Sequence, residues 1–435
     1  MEATVIIIFV IGYLLIAFEH PIKINKSATA IVTGVLCWTI YALFSETPIE
    51  HIIEQLKEHF GEISEILFFL LGAMTIVELV DGYEGFRIIT DRIKTKNPKT
   101  LLWIICSITF FLSAILDNLT TAIVMVSLVR KLVPNRDMRL FFVGLIVIAA
   151  NAGGAWSPIG DVTTTMLWIG GQISSVNIIK TLILPSIVCL VIPLLYLQVT
   201  LKGELGHASA GNEPGQINSH ADPAAVRGAK TMLTFGVGGL ISVPFFKTIT
   251  HLPPYIGMLL ALGIIWIVSE LLNPHLNEAE KKRYTAAGAL SRVDVASVLF
   301  FLGILLAVAA LQSMGLLNQF ASYLAETIGD NRIIITLIGI LSSVVDNVPL
   351  VAASMGMYSL ENFPTDHMIW EYLAYCAGTG GSILIIGSAA GVAVMGMEKI
   401  DFIWYLKKIS LLALMGYFAG AIVYLIIYPY LAVHA

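Results

Sequence analysis

The sequence predicts an all-α polytopic membrane protein, with about ten transmembrane spans and two re-entrant hairpins. Of its 435 residues, 57% are apolar and only 13% are charged, whereas a soluble protein carries roughly 25% charged residues. Apolar stretches of about 17–25 residues alternate with short polar loops, which is the pattern of transmembrane helices. A large soluble helical protein is therefore not expected.

Ten apolar segments have the length of a membrane span. They are 3–19, 27–45, 64–82, 140–169, 178–200, 231–250, 255–272, 294–316, 372–396 and 409–430. The first is expected to be a retained span, because Glu2 precedes it and neither a basic region nor a cleavage site accompanies it. The segment 46–62, with His51 and His59, is expected to be a polar and solvated outer loop. Residues 201–230 form a hydrophilic linker rich in Gly, Ser, Asn and Pro.

The basic loops predict which ends of the spans face the cytoplasm. Lys and Arg cluster between the spans at Lys23, Lys26, Arg87, Arg92, Lys94, Lys96, Lys99, Arg130, Lys131, Arg136, Arg139, Lys281, Lys282, Arg283 and Arg292. By the positive-inside rule these loops are cytoplasmic, and the acidic loops 46–62 and 361–371 lie outside. The four cysteines fall in apolar segments without metal-binding spacing, which indicates packing residues. No resident cofactor and no nucleic-acid partner are expected.

Two further apolar stretches, 100–131 and 332–360, are predicted to be re-entrant hairpins. The first lies between two basic loops, so a single span would place one of those loops outside. About thirty residues cannot cross a core of about 30 Å twice as helix, at a rise of about 1.5 Å per residue. Each stretch is therefore expected to enter and leave on one side. The midpoints read LDNLTT (116–121) and VDNVPL (345–350).

Three pairs of motifs recur in the same order along the chain. ILFFLLG (66–72) resembles VLFFLG (298–303), and LDNLT (116–120) resembles VDNVP (345–349). In addition, NAGG and PIGD (within 151–161) resemble CAGTGGS and IIGS (within 376–388). An odd number of spans per copy inverts the second copy. Residues 1–200 and 231–435 are thus predicted to be the inverted repeats of a secondary transporter, joined by the linker.

The spans 140–169 and 372–396 are predicted to be interrupted helices. The first contains Pro158 and several glycines, and the second contains glycine-rich runs at 378–382 and 387–391. Such residues free backbone groups, which a membrane tolerates only where they line a cavity or contact protein. Two hairpin tips and two interrupted helices are expected to meet at the bilayer midplane, where substrates of such transporters bind.

The candidate site consists of carboxylate, amide and hydroxyl groups on these four elements. An ionisable residue inside the membrane costs a few kcal/mol and is a functional candidate, although Asp and Asn also favour helix N-caps. Oxygen ligands suit a hard cation, so Asp117, Asp161 and Asp346 are expected to bind Na⁺. The hydroxyls have a second interpretation, a local bond to a carbonyl of their own helix. The candidate ion- and proton-binding residues are Asp117, Asn118, Thr120, Thr121, Asn151, Asp161, Thr163, Asp346, Asn347, Thr379, Ser382 and Ser388.

Exchange of a cation for a proton is the chemistry that this set favours. A carboxylate holds either H⁺ or Na⁺ but not both well, and an exchanger needs that mutual exclusion. Carboxylates at both tips would repel an anion, and we expect no intramembrane Lys or Arg to compensate. We expect the side with Asp117 and Asp161 to bind the coupled ions.

Three alternatives compete with cation exchange. The first is a Na⁺-coupled symporter of a small anion or metabolite on the same fold. The second is an intramembrane aspartyl protease that uses Asp161 and a second aspartate, which gives the duplicated hairpins no role. The third is a passive channel, although hairpins that end in carboxylates suggest an occluded site.

The same motifs resemble a known family. SAILDNLTTAIV, NAGGAWSPIGDVTTTMLW, SSVVDNVPLVAA and GSAAGVAVMGMEKIDFIWY are similar to the NhaD-type sodium/proton antiporters, of the superfamily that includes divalent anion:sodium symporters. The resemblance implies a scaffold domain, a transport domain and a homodimer with elevator-like motion. It also implies exchange of internal Na⁺ or Li⁺ for external H⁺ across a bacterial inner membrane. The symporters carry Ser-Asn-Thr at the hairpin tips, whereas this chain has DNLT and DNVP, which weakens the case for anion transport.

Overall fold

The computed structural model of the chain describes residues 1–432, apart from 18, 91, 92, 94, 96, 201–227 and 273–282. The described residues are almost entirely helical and include no strand. Residues 201–227 of the predicted linker lie outside the described residues, as do the basic residues Arg92, Lys94, Lys96, Lys281 and Lys282.

The helices are numbered in chain order. Those before the linker are α1 (Glu2–Ala17), α2 (Glu19–Ile22), α3 (Lys26–Phe44), α4 (Ile49–Gly82), α5 (Arg87–Thr90), α6 (Pro98–Leu116), α7 (Asn118–Leu132), α8 (Arg136–Ala155), α9 (Val162–Ile169) and α10 (Ser175–Thr200). Those after it are α11 (Ala229–Thr250), α12 (Pro254–Leu272), α13 (Ala286–Leu290), α14 (Val295–Ser313), α15 (Leu316–Ile328), α16 (Asn331–Leu341), α17 (Asn347–Met357), α18 (Met368–Gly380), α19 (Ala389–Glu398), α20 (Phe402–Lys408) and α21 (Ser410–Ala432).

The predicted fold class, an all-α polytopic membrane protein, is confirmed. Within the described part of the chain, nine helices are long and apolar enough to cross a membrane, namely α3, α4, α6, α8, α10, α11, α12, α14 and α21. The helix α1 is shorter, and α9, α16, α17, α18 and α19 are shorter still. Apart from α1, these shorter helices belong, together with α6, α7 and α8, to the predicted hairpins and interrupted spans.

The loop expected at 46–62 is wrong, because residues 49–62 belong to the 34-residue helix α4. Its apolar residues recur at helical spacing, and Ile52 and Ile63 are buried. A helix with one apolar stripe packs that stripe against its neighbours. The side chain of His59 is only 15% exposed, and its Nε2 lies 3.1 Å from Ser313 Oγ. His59 is therefore part of a packed helix rather than a solvated loop.

Both predicted hairpins are helix–turn–helix units. In the first, α6 and α7 pack against each other and are joined by Asp117 alone. Asp117 has φ 123° and ψ 160°, a region that is almost restricted to glycine and costs about 1–3 kcal/mol for other residues. In the second, 342–346 connect α16 and α17, which have 11 residues each. A helix of that length is about 16 Å long and covers about half of the membrane core.

Two interrupted helices lie at the centre of the molecule. The helix α8 ends at Ala155 and α9 starts at Val162, whereas α18 ends at Gly380 and α19 starts at Ala389. Nearly every residue of α8 and α18 is buried, and the two helices contact each other. The hairpins pack on them, since α6 and α7 contact α8, and α16 and α17 contact α18.

Glycines allow each hairpin to approach its interrupted helix closely. A Cβ on Gly153 would lie 2.2 Å from the carbonyl oxygen of Phe110 in α6. A Cβ on Gly380 would lie 1.9 Å from the carbonyl oxygen of Gly339 in α16. Real Cβ atoms do not come so near a backbone atom, so only glycine fits at these two positions. The same close contact therefore occurs once in each half.

Most of the remaining long helices form a second packed group, whereas α10 and α21 pack on each other and on α18, and α10 also packs on α8. The pair α3 and α14 has the most extensive contact in the described chain, and α1 packs on α3. The helices α4, α11, α12 and α13 join this pair through α4. We call α1, α3, α4, α11, α12, α13 and α14 the α14 group. The second hairpin touches this group directly, because α17 contacts α14 as well as α9 and α18.

Candidate ion-binding site

Asp161 lies at the break between α8 and α9 and caps α9. Its Oδ1 accepts hydrogen bonds from the Thr163 backbone N–H (2.9 Å) and from Thr163 Oγ1 (2.8 Å). Its Oδ2 accepts a hydrogen bond of 2.6 Å from Asn118 Nδ2. The residue is 1% exposed, and no Lys or Arg of the described chain pairs with it. Asp161 is thus a buried carboxylate held by neutral donors.

Two asparagines connect Asp161 to the second interrupted helix. Besides Asp161, Asn118 Nδ2 donates to Asn151 Oδ1 (3.1 Å). Asn151 Nδ2 in turn donates to Ser388 Oγ (3.1 Å). Ser388 caps α19 by accepting a hydrogen bond from the Gly391 N–H. The first hairpin tip, both interrupted helices and the carboxylate therefore share one hydrogen-bond chain.

Asp161 and Ser388 occupy equivalent places in the two halves. Each follows the break in its helix and caps the helix that comes next. Their backbones are nearly the same, with φ −146° and ψ 146° for Asp161, and φ −144° and ψ 153° for Ser388. The carboxylate of the first half is therefore replaced by a hydroxyl in the second.

Asp117 and its neighbours form the rest of the first tip. The Oδ1 of Asp117 accepts from the Thr120 backbone N–H and its Oδ2 accepts from Thr120 Oγ1, both at 2.8 Å. Asp117 is close enough to Asp161 for the two carboxylates to interact electrostatically. Thr121 is fully buried, and its Oγ1 has no hydrogen-bond partner among the described residues. This tip thus offers the Asp117 carboxylate and an unsatisfied hydroxyl, with Asp161 nearby at the break between α8 and α9.

The second tip has a cationic partner, which corrects the expectation that no Lys or Arg would compensate the acids. Lys26 Nζ lies 3.0 Å from Asp346 Oδ2. The sequence places Lys26 in a cytoplasmic loop, but it is the first residue of α3. A lysine at the end of a helix can extend its charge several ångströms along the packed surface. Its partner lies 320 residues away in the chain, so no local pattern indicates the pair.

Three candidates are buried but lie outside the hydrogen-bond chain. Asn347 is 4% exposed; its Nδ2 makes no hydrogen bond of good geometry among the described residues, but its side chain lies near the Asp161 carboxylate. Thr379 Oγ1 donates to the Tyr375 carbonyl and Ser382 Oγ to the Thr379 carbonyl, both at 2.6 Å. These two hydroxyls therefore bond to nearby backbone carbonyls, which is the alternative to ion binding that the sequence also allows. Their hydrogens are used within α18 and its C-terminal turn.

A cation at this site would have few carboxylate ligands. Among the described residues, no three Asp, Glu, His or Cys side chains come close enough together to hold a metal ion. Asp161 lies within electrostatic range of both Asp117 and Asp346, but the three carboxylates do not come close enough together to share one metal ion. Neutral oxygens of asparagine, threonine and the backbone at the helix breaks would have to complete a shell around Na⁺.

Comparison with known proteins connects this geometry to a family. The model of the citrate transporter family CitMHS matches residues 13–371. Sodium/proton antiporters 1 and 2 of Arabidopsis thaliana are 48% and 47% identical, over 100% and 98% of this chain and 73% and 99% of their own lengths. The Na⁺/H⁺ antiporter NhaD of Vibrio cholerae is 31% identical over 97% of this chain and 91% of its own. Each of these matches is to transporters, which leaves a membrane protease without support. The chain belongs to the family of the NhaD-type sodium/proton antiporters.

Proposed function

We propose that the chain exchanges Na⁺ for H⁺ across a membrane, and that the two ions compete for Asp161. One observation carries this proposal: Asp161 is a buried carboxylate without a cationic partner in the described chain, at the junction of a hairpin tip and a helix break. Buried charges in proteins are normally paired or bind an ion. The names of the relatives, which are sodium/proton antiporters, support the same function.

The surroundings of Asp161 favour the uptake of one cation at a time. Asp117 adds a second negative charge within electrostatic range, so a proton or Na⁺ between them relieves their repulsion. Asn118 contacts Asp161 through its amide nitrogen, and rotation of that amide would present its oxygen to a metal ion instead. When Na⁺ enters, the carboxylate must release its proton, and this coupling is what an exchanger requires.

Symport of an anion is not favoured. The one Lys at the hairpin tips of the described chain, Lys26, is already paired with Asp346, so it offers no free positive charge to a carboxylate substrate. Asp117 and Asp161 would repel such a substrate. The matched family model bears the name of a citrate transporter, but the relatives at 47% and 48% identity are sodium/proton antiporters.

A pH-gradient assay tests the proposed exchange. The chain is expressed in a bacterial host without Na⁺/H⁺ antiporters, and everted vesicles are acidified by respiration. Na⁺ should dissipate the acid interior, which acridine orange reports as recovery of fluorescence. Asp161→Asn should abolish this response, whereas Asp401→Asn, the same change at an exposed helix cap, should preserve it. No response of the unmodified chain to Na⁺, Li⁺ or K⁺ would refute the exchange.

Several finer features belong to the same proposal. We propose Li⁺ as a second transported cation, a homodimer as the assembly and a bacterial inner membrane as the location. The α14 group would be the scaffold, and the hairpins with the interrupted helices would form the transport domain. The extensive packing within each group supports this division, with the contact of α17 and α14 between them, and the bacterial origin of the relatives named NhaD supports the location. Li⁺ in the vesicle assay, the mass of the detergent-solubilised particle and fractionation of source cells test the first three features.

A further inference from the structure

Lys26 brings a positive charge to the second hairpin tip and holds it in a partly buried place. Its Nζ is 3.0 Å from Asp346 Oδ2 and 4.3 Å from the centre of the Phe300 ring. The side chain of Lys26 is 22% exposed and that of Asp346 is 12% exposed. An ammonium over an aromatic face gains additional attraction when it is shielded from water. The ammonium therefore has a defined position, unlike that of a solvated surface lysine.

The pair joins two parts of the molecule that are far apart in sequence. Lys26 belongs to α3 and Phe300 to α14, both in the α14 group, whereas Asp346 caps the second helix of the hairpin. Two buried polar groups near Asp346 lack partners within the described chain, namely Tyr13 Oη and Asn347 Nδ2. Tyr13 is also close enough to interact electrostatically with Asp346. The tip is thus a cluster of polar groups in which Lys26 supplies the positive charge.

The equivalent tip of the first half has no such partner. Asp117 is held by Thr120 and lies near Asp161, and no Lys or Arg of the described residues pairs with either acid. The two tips share the Asp-Asn sequence and the cap, so they offer similar oxygens to a cation. A lysine ammonium is a compact monovalent charge, and here it sits at the carboxylate where a free cation would otherwise bind.

We propose that Lys26 is a resident counter-cation, which fills the cation position at Asp346 and limits the chain to one transported Na⁺. The proposal rests on the exchange proposed above, because it assigns the transported ion to the first half. It explains why a duplicated pair of acidic tips need not bind two ions. It also makes Lys26 the residue that sets the number of cations bound.

Counting bound Na⁺ tests the proposal directly. The purified full-length chain in lipid nanodiscs is equilibrated with radioactive Na⁺ at alkaline pH, where carboxyl groups are ionised, and bound ions per chain are measured. The unmodified chain and Lys26→Arg should each bind one Na⁺. Lys26→Met should bind two, because Asp346 is left without its counter-charge. The double variant Lys26→Met with Asp346→Asn should again bind one.

The outcomes separate this proposal from the proposed exchange. If Lys26→Met binds no more Na⁺ than the unmodified chain, Lys26 is not a resident cation and the proposal is wrong. Two ions in the unmodified chain would also refute it. If the unmodified chain binds none and Lys26→Met binds one, the exchange site in the first half is wrong, whereas the role of Lys26 stands.

A chemical variant guards against loss of folding. The four native cysteines are all buried, so a cysteine at the partly exposed position 26 can be modified selectively. Lys26→Cys treated with an aminoethyl methanethiosulfonate regains a positive charge, and treatment with methyl methanethiosulfonate leaves the side chain neutral. One folded preparation then supplies both forms. The aminoethyl form should bind one Na⁺ fewer than the methyl form, and equal counts would overturn the proposal.

Discussion

The two hairpin tips carry the same Asp-Asn pair in different electrostatic surroundings. At the first tip, Asn118 binds the buried carboxylate of Asp161, and both acids lack a basic partner in the described chain. At the second, Asp346 is paired with Lys26, and Ser388 stands where the first half has Asp161. The backbone contacts of the two halves correspond, whereas the charges do not. The corresponding backbone contacts therefore give the two halves a similar geometry, and we propose that a few side chains decide which half takes up an ion.

The turns of the two hairpins also differ. Asp117 turns the chain alone at φ 123°, whereas the second tip uses five residues and Asp346 has φ −49°. Strained backbone tends to persist where function requires it. The strained turn coincides with the half that we propose as the ion site, which strengthens the distinction between the halves.

The largest expected effect is a difference in exchange rate between variants of Asp161 and of Ser388, which occupies the equivalent place in the second half. Asp161→Asn should reduce Na⁺/H⁺ exchange by at least about 100-fold, because the variant has no carboxylate on which the ions compete. Ser388→Ala should reduce it by less than about 10-fold, since it removes one neutral hydrogen bond. Initial rates in everted vesicles measure both. Comparable losses for the two variants would contradict the assignment of the ion to the first half.

The next largest effect is expected on the apparent KM for Na⁺, which should depend more on Asn118 than on Asn347. Asn118→Ala removes donors to Asp161 and Asn151. A hydrogen bond to a charged group is worth about 1.5–3 kcal/mol, so the apparent KM for Na⁺ should change by about 10- to 100-fold. Asn347→Ala removes an amide that lies near Asp161 without a hydrogen bond of good geometry, and the apparent KM should change by less than about 3-fold. The Na⁺ dependence of exchange at fixed pH measures both, and equal shifts would show that the tips act alike.

The close glycine contacts should behave alike in the two halves, in contrast to the charges. Gly153→Ala and Gly380→Ala each force a Cβ against a backbone carbonyl, and overpacking of this kind costs about 1–3 kcal/mol. Both variants should lower the Tm of the detergent-solubilised protein. Gly396→Ala is the matched control, because a Cβ there meets nothing within 4 Å. An unchanged Tm for only one of the two variants would show that the halves do not share this contact.

The smallest effect is expected at an exposed cap of the second hairpin. The hydrogen bond from Arg332 lowers the pKa of the Asp330 carboxyl. A lowered pKa stabilises the folded state above the unfolded pKa, and this contribution is lost as the pH falls through the folded pKa. Because Asp330 is exposed to solvent, screening makes this contribution to the stability of the folded state small. Asp330→Asn should leave Tm and exchange nearly unchanged at neutral pH, whereas Asp346→Asn should alter exchange. A marked loss at Asp330 would show that capping alone determines the behaviour of this hairpin.

Local features of the sequence were sufficient to predict much of this molecule. Hydropathy identifies the long helices, and the Gly and Pro runs indicate the breaks at which Asp161 and Ser388 cap the next helix. The length of the apolar stretches and the charge of their flanks indicate the hairpins. The loop predicted at 46–62 is wrong because the polar residues of this segment lie on one face of α4. The buried apolar stripe with Ile52 and Ile63 lies on the other face.

Long-range pairing could not be read from the sequence. The partner of Asp346 is Lys26, at the other end of the chain, and nothing near either residue indicates the contact. Similarly, a threonine or serine beside a glycine run can bind an ion or its own helix. For Thr379 and Ser382, the side-chain rotamer determines whether the hydroxyl bonds to a nearby carbonyl or faces an ion. That rotamer depends on the packing of all the helices around it.

The hydrogen-bond chain from Asn118 through Asn151 to Ser388 has a direction. At each link the amide nitrogen on the side of the first hairpin donates toward the second half. Each amide can donate from one end and accept at the other, so the chain has two possible polarities. If Asn118 turns its oxygen toward an arriving cation, Asn151 must turn as well and Ser388 must become the donor. An ion bound in the first half would then reverse the donor–acceptor direction of these hydrogen bonds as far as Ser388 in the second half. No helix would have to move.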